Sequence, residues 1–119
     1  MRYSYPFRQK AHRERHDTAP LLEERDEYLN YLLHGGTSPR RVHAISRTLL
    51  TVIHFLQLRP TSTATVPAIE TAGVRWKESI HASCGRVVPQ EAFDDFRRVA
   101  IDWLRYRGLL IETPRSLLK

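Results

Sequence analysis

The sequence predicts an all-α protein, with four helices around one core and a basic N-terminal arm. Apolar residues recur at three- and four-residue steps in four separate segments, as expected for helices with one buried face. Glycine, proline, serine or threonine bounds each of these segments, and no stretch alternates like a strand of useful length. The chain has 119 residues, the length of a single small domain.

The predicted arm comprises residues 1–17. It has no sustained helical period and carries five arginines and lysines against two acids. Such a segment either lies on phosphates or is a solvated leader outside the fold, and both interpretations stay open.

The first helix is predicted over about residues 18–34, with Thr18 as its N-cap. Pro20 is tolerated in the first turn, and the acids Glu23 and Glu24 suit the positive end of the helix dipole. The inward face is predicted to comprise Leu22, Leu29, Leu32 and Leu33, together with the stem of Arg25 and, at the edges, Tyr28 and Tyr31.

A tight turn and a capped second helix follow. Gly35 and Gly36 are expected to supply the positive φ angles that end the first helix. Ser38 is the predicted N-cap, and Pro39 occupies the first helical position, where its missing N–H is harmless. The helix is predicted to end near Leu58, with an inward face of Val42, Ile45, Leu49, Val52, Ile53 and Leu56.

The opposite side of the second helix is basic. One helical stripe contains Arg40, Ala44, Arg47, Thr51 and His54, and Arg41 and His43 lie near it. Residues 38–59 contain four arginines and no acid, whereas residues 18–34 contain four acids and one arginine. Exposed helices usually mix both signs, so this pattern favours contact with a polyanion. The formal charge of +6 agrees with that interpretation.

The second half of the chain predicts two more helices. Residues 61–65 are a predicted linker, and the third helix spans about 67–82, weakened by Gly73. The fourth helix spans about 90–107 and stops at Gly108, and residues 111–119 form an exit segment. The predicted inward residues are Ile69, Ala72, Trp76 and Ile80 on the third helix, and Phe93, Phe96, Ala100, Trp103 and Leu104 on the fourth.

Catalysis, metal binding and membrane insertion find no support in the residue pattern. The six histidines do not combine with a carboxylate and a nucleophile at a catalytic spacing. His81 and Cys84 lack the second pair that would complete a zinc site. No apolar run approaches the roughly 20 residues that cross a bilayer, and no signal core is present. We expect no enzymatic activity, cofactor, metal, membrane contact or small-molecule substrate, and a cytoplasmic, nucleoid-associated protein.

The expected partner is double-stranded DNA. Arginines, hydroxyls and helix N-termini bind phosphates, and a helix in the major groove reads bases. For the fourth helix, an equal alternative is that its arginines pair with Asp94, Asp95 and Asp102. The candidate DNA-binding residues are Thr37, Ser38, Arg40, Arg41, His43 and Arg47 around the second helix, and Arg97, Arg98 and Arg105 on the fourth.

Four motifs occur in an order that suggests a lineage: residues 22–32, 36–42, 49–56 and 96–110. Together they resemble the N-terminal core-binding, SAM-like domain of the tyrosine recombinase (phage integrase) family. The likeness covers about residues 20–110, which would be the core-binding helical domain (18–110). It departs from the family at Arg41, where a threonine is frequent. The resemblance implies a DNA-binding module for DNA integration or recombination, with other recombinase protomers as partners and its catalytic domain missing.

A helical protein-interaction or dimerisation domain is the alternative function. Its support is the apolar segment 109–111 together with Leu117 and Leu118, which fall outside the four predicted helices. If exposed, these side chains would form a patch that requires a partner.

Overall fold

The computed structural model describes residues 18–112 of the chain. Within that range it contains four helices and only two short strands, which confirms the all-α class and the predicted number of helices. The arm (1–17) and the residues after 112, including Leu117 and Leu118, lie outside the described residues. The elements are α1 (Leu22–His34), α2 (Pro39–Leu56), β1 (Ala64–Thr65), α3 (Val66–Cys84), α4 (Gln90–Tyr106) and β2 (Leu110–Ile111).

The described chain divides into two compact units, with the boundary in the sequence between Pro60 and Thr61. In the first unit α1 packs on α2. The apolar face predicted for α2 is buried, except that Leu56 is half-buried. The buried apolar residues of this unit are Tyr28, Leu29, Val42, Ile45, Leu49, Val52, Ile53 and Leu58.

The start of the first helix differs from the prediction. Helix α1 begins at Leu22, and the preceding Leu21 has a left-handed backbone with a φ of 61° and no side-chain cap. Thr18 is therefore not the N-cap. Arg25 organises this end instead, because its Nε donates to the carbonyl oxygen of Pro20 at 2.9 Å and its guanidinium NH2 to that of Ala19 at 2.9 Å. The side chain of Arg25 is 0% exposed, so more than its stem is inside.

The turn between α1 and α2 agrees with the prediction at one glycine and not at the other. Gly36 has a φ of +96°, but Gly35 has a φ of −80° and follows the helix closely enough to donate to the Tyr31 carbonyl at 3.0 Å. Helix α2 ends at Leu56, two residues earlier than predicted. Gln57 adopts a left-handed φ of 52°, which stops the helix and turns Leu58 into the interior.

In the second unit α3 packs on α4. Trp103 is 1% exposed, and the Trp76 ring stacks on Phe96 with the centroids 5.3 Å apart, which confirms that both tryptophans serve packing. Ile80, like Trp76, is only half-buried. The buried residues of this unit are Ala64, Ile69, Ala72, Gly73, Val88, Phe96, Val99, Ala100, Trp103 and Leu104.

A minimal parallel sheet replaces part of the predicted linker and exit segment. Strands β1 and β2 pair Ala64 with Leu110 and Thr65 with Ile111. The hydroxyl of Thr65 then accepts from the Ala68 N–H at 3.2 Å and caps α3, which is longer at both ends than predicted. The sheet thus ties the chain before α3 to the chain after α4.

Candidate nucleic-acid interface

The N-terminus of α2 is built by its cap. Ser38 is extended, and its Oγ accepts from the Arg41 N–H at 3.2 Å, with Pro39 in the first turn as predicted. The first turn of α2 contains no acid. The positive end of the helix dipole is therefore not neutralised by a neighbouring carboxylate of its own turn.

One exposed stripe runs along α2 from this end. Arg40, Ala44, Arg47 and His54 are exposed, and Thr51 is half-buried. At 3.6 residues per turn these five positions fall within an arc of about 80°. The distance along the axis from Arg40 to His54 is about 21 Å at a rise of about 1.5 Å per residue. We call these five residues the α2 stripe.

The arginines of the α2 stripe have no carboxylate partner. Within residues 18–112, the exposed ion pairs involve other arginines, and neither Arg40 nor Arg47 takes part in one. Helix α2 itself has no acidic residue. Both guanidinium groups are therefore available to an external anion.

The other candidates of the first unit flank the stripe. Thr37, Arg41 and His43 are half-buried, whereas Ser38 is exposed with its hydroxyl engaged in the cap. The structure thus brings the six candidates of this unit to the first half of α2 and the turn before it. His54 lies on the same stripe but is not among the predicted site residues, although its seven-residue spacing from Arg47 is visible in the sequence.

The arginines of α4 are less available than those of α2. Arg97 Nε lies 3.1 Å from Glu70 Oε1, and a terminal nitrogen of Arg105 lies 2.7 Å from Glu112 Oε1. The hydrogen bond to Glu112, and then its charge, raises the pKa of Arg105 above its ordinary value. Arg98 is exposed and takes part in no ion pair with residues 18–112.

This outcome resembles the alternative considered for the fourth helix, but with different acids. The partners of Arg97 and Arg105 are Glu70 and Glu112, not the three aspartates of α4 itself. Asp94 instead accepts from the side-chain amide of Gln90 at 3.0 Å. Exposed pairs of this kind contribute little to stability, about 0–1 kcal/mol, but they offset positive charge on the α4 surface.

Helix α1 presents the opposite charge. Together with Leu22 and Tyr31, its acids line an open groove of about 840 Å³. The acids in that lining are Glu23, Asp26 and Glu27. The first unit is therefore polarised, with carboxylates along α1 and unneutralised arginines along α2. A polyanion would be attracted to the α2 stripe and repelled by the α1 groove.

Other kinds of site are not seen in the described part of the chain. Within residues 18–112, no three histidine, cysteine or acidic side chains are grouped so that they could hold a metal ion. None of the helices described is long and apolar enough to cross a membrane. Comparison with family models, with curated proteins and with solved structures finds no match, and the recombinase resemblance stays a prediction from the motifs alone.

Proposed function

We propose that this chain is a DNA-binding module that docks on duplex DNA through the α2 stripe. The observation that carries the proposal is the pair of exposed arginines, Arg40 and Arg47, on a helix without acids and without ion pairs to residues 18–112. Guanidinium groups bind phosphate oxygens with two parallel hydrogen bonds, and they stay charged at every physiological pH.

The shape of the helix supports the same partner. A helix with its side chains is about 10–12 Å across, and the major groove of B-form DNA is about 12 Å wide. The small residue Ala44 and the half-buried Thr51 leave the stripe low between its basic positions. A helix of this profile enters the groove more closely than one covered with long side chains.

The contribution of α4 is secondary in this proposal. Only Arg98 on that helix combines exposure with the absence of an ion pair to residues 18–112. Arg97 and Arg105 must release Glu70 and Glu112 before they bind a phosphate. We therefore assign the main electrostatic attraction to the first unit.

The resemblance to the core-binding domain of tyrosine recombinases extends the proposal. In that role the chain holds DNA near a recombination site, and it makes no covalent bond itself. The order of the four motifs supports this extension. The alternative of a protein-interaction domain gains no comparable observation, since Leu109 and Leu110 are half-buried and only Ile111, 51% exposed, presents a large apolar side chain in that segment.

Binding of the full chain to labelled duplex DNA, measured against salt concentration, tests the proposal. Four to six phosphate contacts predict a slope of about −4 to −5 when the logarithm of the association constant is plotted against that of salt. A slope near zero, or no binding at low salt, contradicts DNA binding as the function.

A further inference from the structure

The α2 stripe has one long basic side chain at its centre and short side chains on both sides of it. Arg47 is exposed, Ala44 precedes it by three residues, and Thr51 follows it by four. This profile differs from a uniform row of arginines, which would suit phosphates alone. It places one extended donor group between two positions where the helix backbone is thinly covered.

The two ends of the stripe are spaced for the walls of a groove. Arg40 and His54 each lie seven residues from Arg47, which is about 10.5 Å along the helix axis. The major groove is about 12 Å wide, so a helix whose centre lies in the groove carries its ends towards the two phosphate backbones. Arg40 and His54 are both exposed and suited to those backbones.

The central position then faces base edges. The fork of an arginine donates two hydrogen bonds to O6 and N7 of guanine, and no other base offers that pair of acceptors in the major groove. Arg47 is uncommitted to any carboxylate of residues 18–112, so its donors are available. The methyl groups of Ala44 and Thr51 are the kind of surface that contacts the methyl group of thymine.

We infer that Arg47 reads a guanine, with thymine favoured beside it, while Arg40 and His54 hold the flanking phosphates. This inference rests on the proposed DNA binding and adds sequence preference to it. The ligand is B-form DNA, since the major groove of an A-form RNA duplex is too deep and narrow for a side chain to read.

Selection of bound duplexes from a random library with the full wild-type chain is the first step of the test. We expect one guanine to be enriched. Dissociation constants are then measured for the selected duplex and for the same duplex with that guanine replaced, and the wild-type chain should discriminate by about tenfold or more. An RNA duplex of the same sequence should compete poorly.

Three variants locate the preference. Arg47→Lys keeps the charge but loses the fork, and the ratio of the two dissociation constants should fall towards one. Arg40→Gln should weaken binding to both duplexes by a similar factor. Arg75→Lys, an exposed arginine of α3 in the second unit, should retain the wild-type ratio. Helix content and thermal stability are recorded for each variant to establish that all are folded.

The possible failures are distinct. Duplex binding without any enriched base, or an unchanged ratio for Arg47→Lys, overturns the base-reading role and leaves DNA binding intact. Equal competition by the RNA duplex also overturns it. No binding to any duplex overturns this inference together with the proposed function.

Discussion

Gly73 of α3 lies so close to the ring of Phe93 on α4 that a Cβ atom at residue 73 would stand 2.7 Å from Cε2 of that ring. Cδ1 of Phe96 would be 3.3 Å away. The absence of a side chain at this position therefore sets how closely the two helices of the second unit approach. A residue that weakens the helix in isolation is what its packing requires.

Gly73→Ala is expected to lower stability. Alanine improves helix propensity by about 1 kcal/mol, but overpacking costs typically about 1–3 kcal/mol, and here two rings stand in the way. We expect a net loss of about 1 kcal/mol in the free energy of unfolding, measured by urea denaturation. Trimming the ring with Phe93→Leu should reduce the penalty of Gly73→Ala. A gain in stability for the single variant would show that the ring moves aside freely.

Arg25→Met is expected to destabilise the first unit strongly. The guanidinium is fully buried and donates to the carbonyl oxygens of Ala19 and Pro20. Methionine matches the stem but leaves both carbonyls without this donor, and hydrogen bonds to charged groups are worth about 1.5–3 kcal/mol each. We expect a loss of about 3 kcal/mol in the free energy of unfolding.

The matched control for Arg25 is Arg75→Met, which removes an exposed arginine from α3. Surface substitutions of this kind change stability by about 0.5 kcal/mol or less. Equal effects of the two variants would mean that Arg25 does not anchor the start of α1.

Ser38 allows stability and DNA binding to be separated. Ser38→Ala removes the hydroxyl that accepts from the Arg41 N–H and should cost about 0.5–2 kcal/mol. Ser38→Asp keeps a capping acceptor, so thermal stability should stay close to wild type, but its charge stands at the end of α2 that faces DNA. We expect weaker DNA binding for Ser38→Asp, measured by fluorescence anisotropy. Unchanged affinity would place the N-terminus of α2 away from the phosphates.

The helical faces could be predicted from the sequence because their period is local. Val42, Leu49 and Ile53 repeat at helical spacing and are buried, and Phe96 and Trp103 behave likewise. The start of α1 could not be predicted, because it depends on a left-handed leucine and on an arginine that reaches back to carbonyls five and six residues away. Strands of two residues carry no detectable alternation.

The candidate site divides in the same way. The α2 stripe is recognisable from the sequence, since the spacing of its residues and the absence of acids are properties of one segment. The pairing of Arg97 with Glu70, 27 residues earlier, is not. Which arginines are available is therefore decided by tertiary contacts, although their positions on a helical face are decided by local spacing.

The most direct test of the account compares two double charge reversals that change net charge equally. Arg40→Glu with Arg47→Glu alters the α2 stripe, and Arg75→Glu with Arg86→Glu alters exposed positions of the second unit. The affinity of each full-length variant for one duplex is measured by fluorescence anisotropy across a salt series. The account predicts that the stripe variant loses affinity by more than about tenfold relative to the control and that its salt slope falls by about 2, or about 0.9 for each lost phosphate contact. Equal losses in both variants would contradict it.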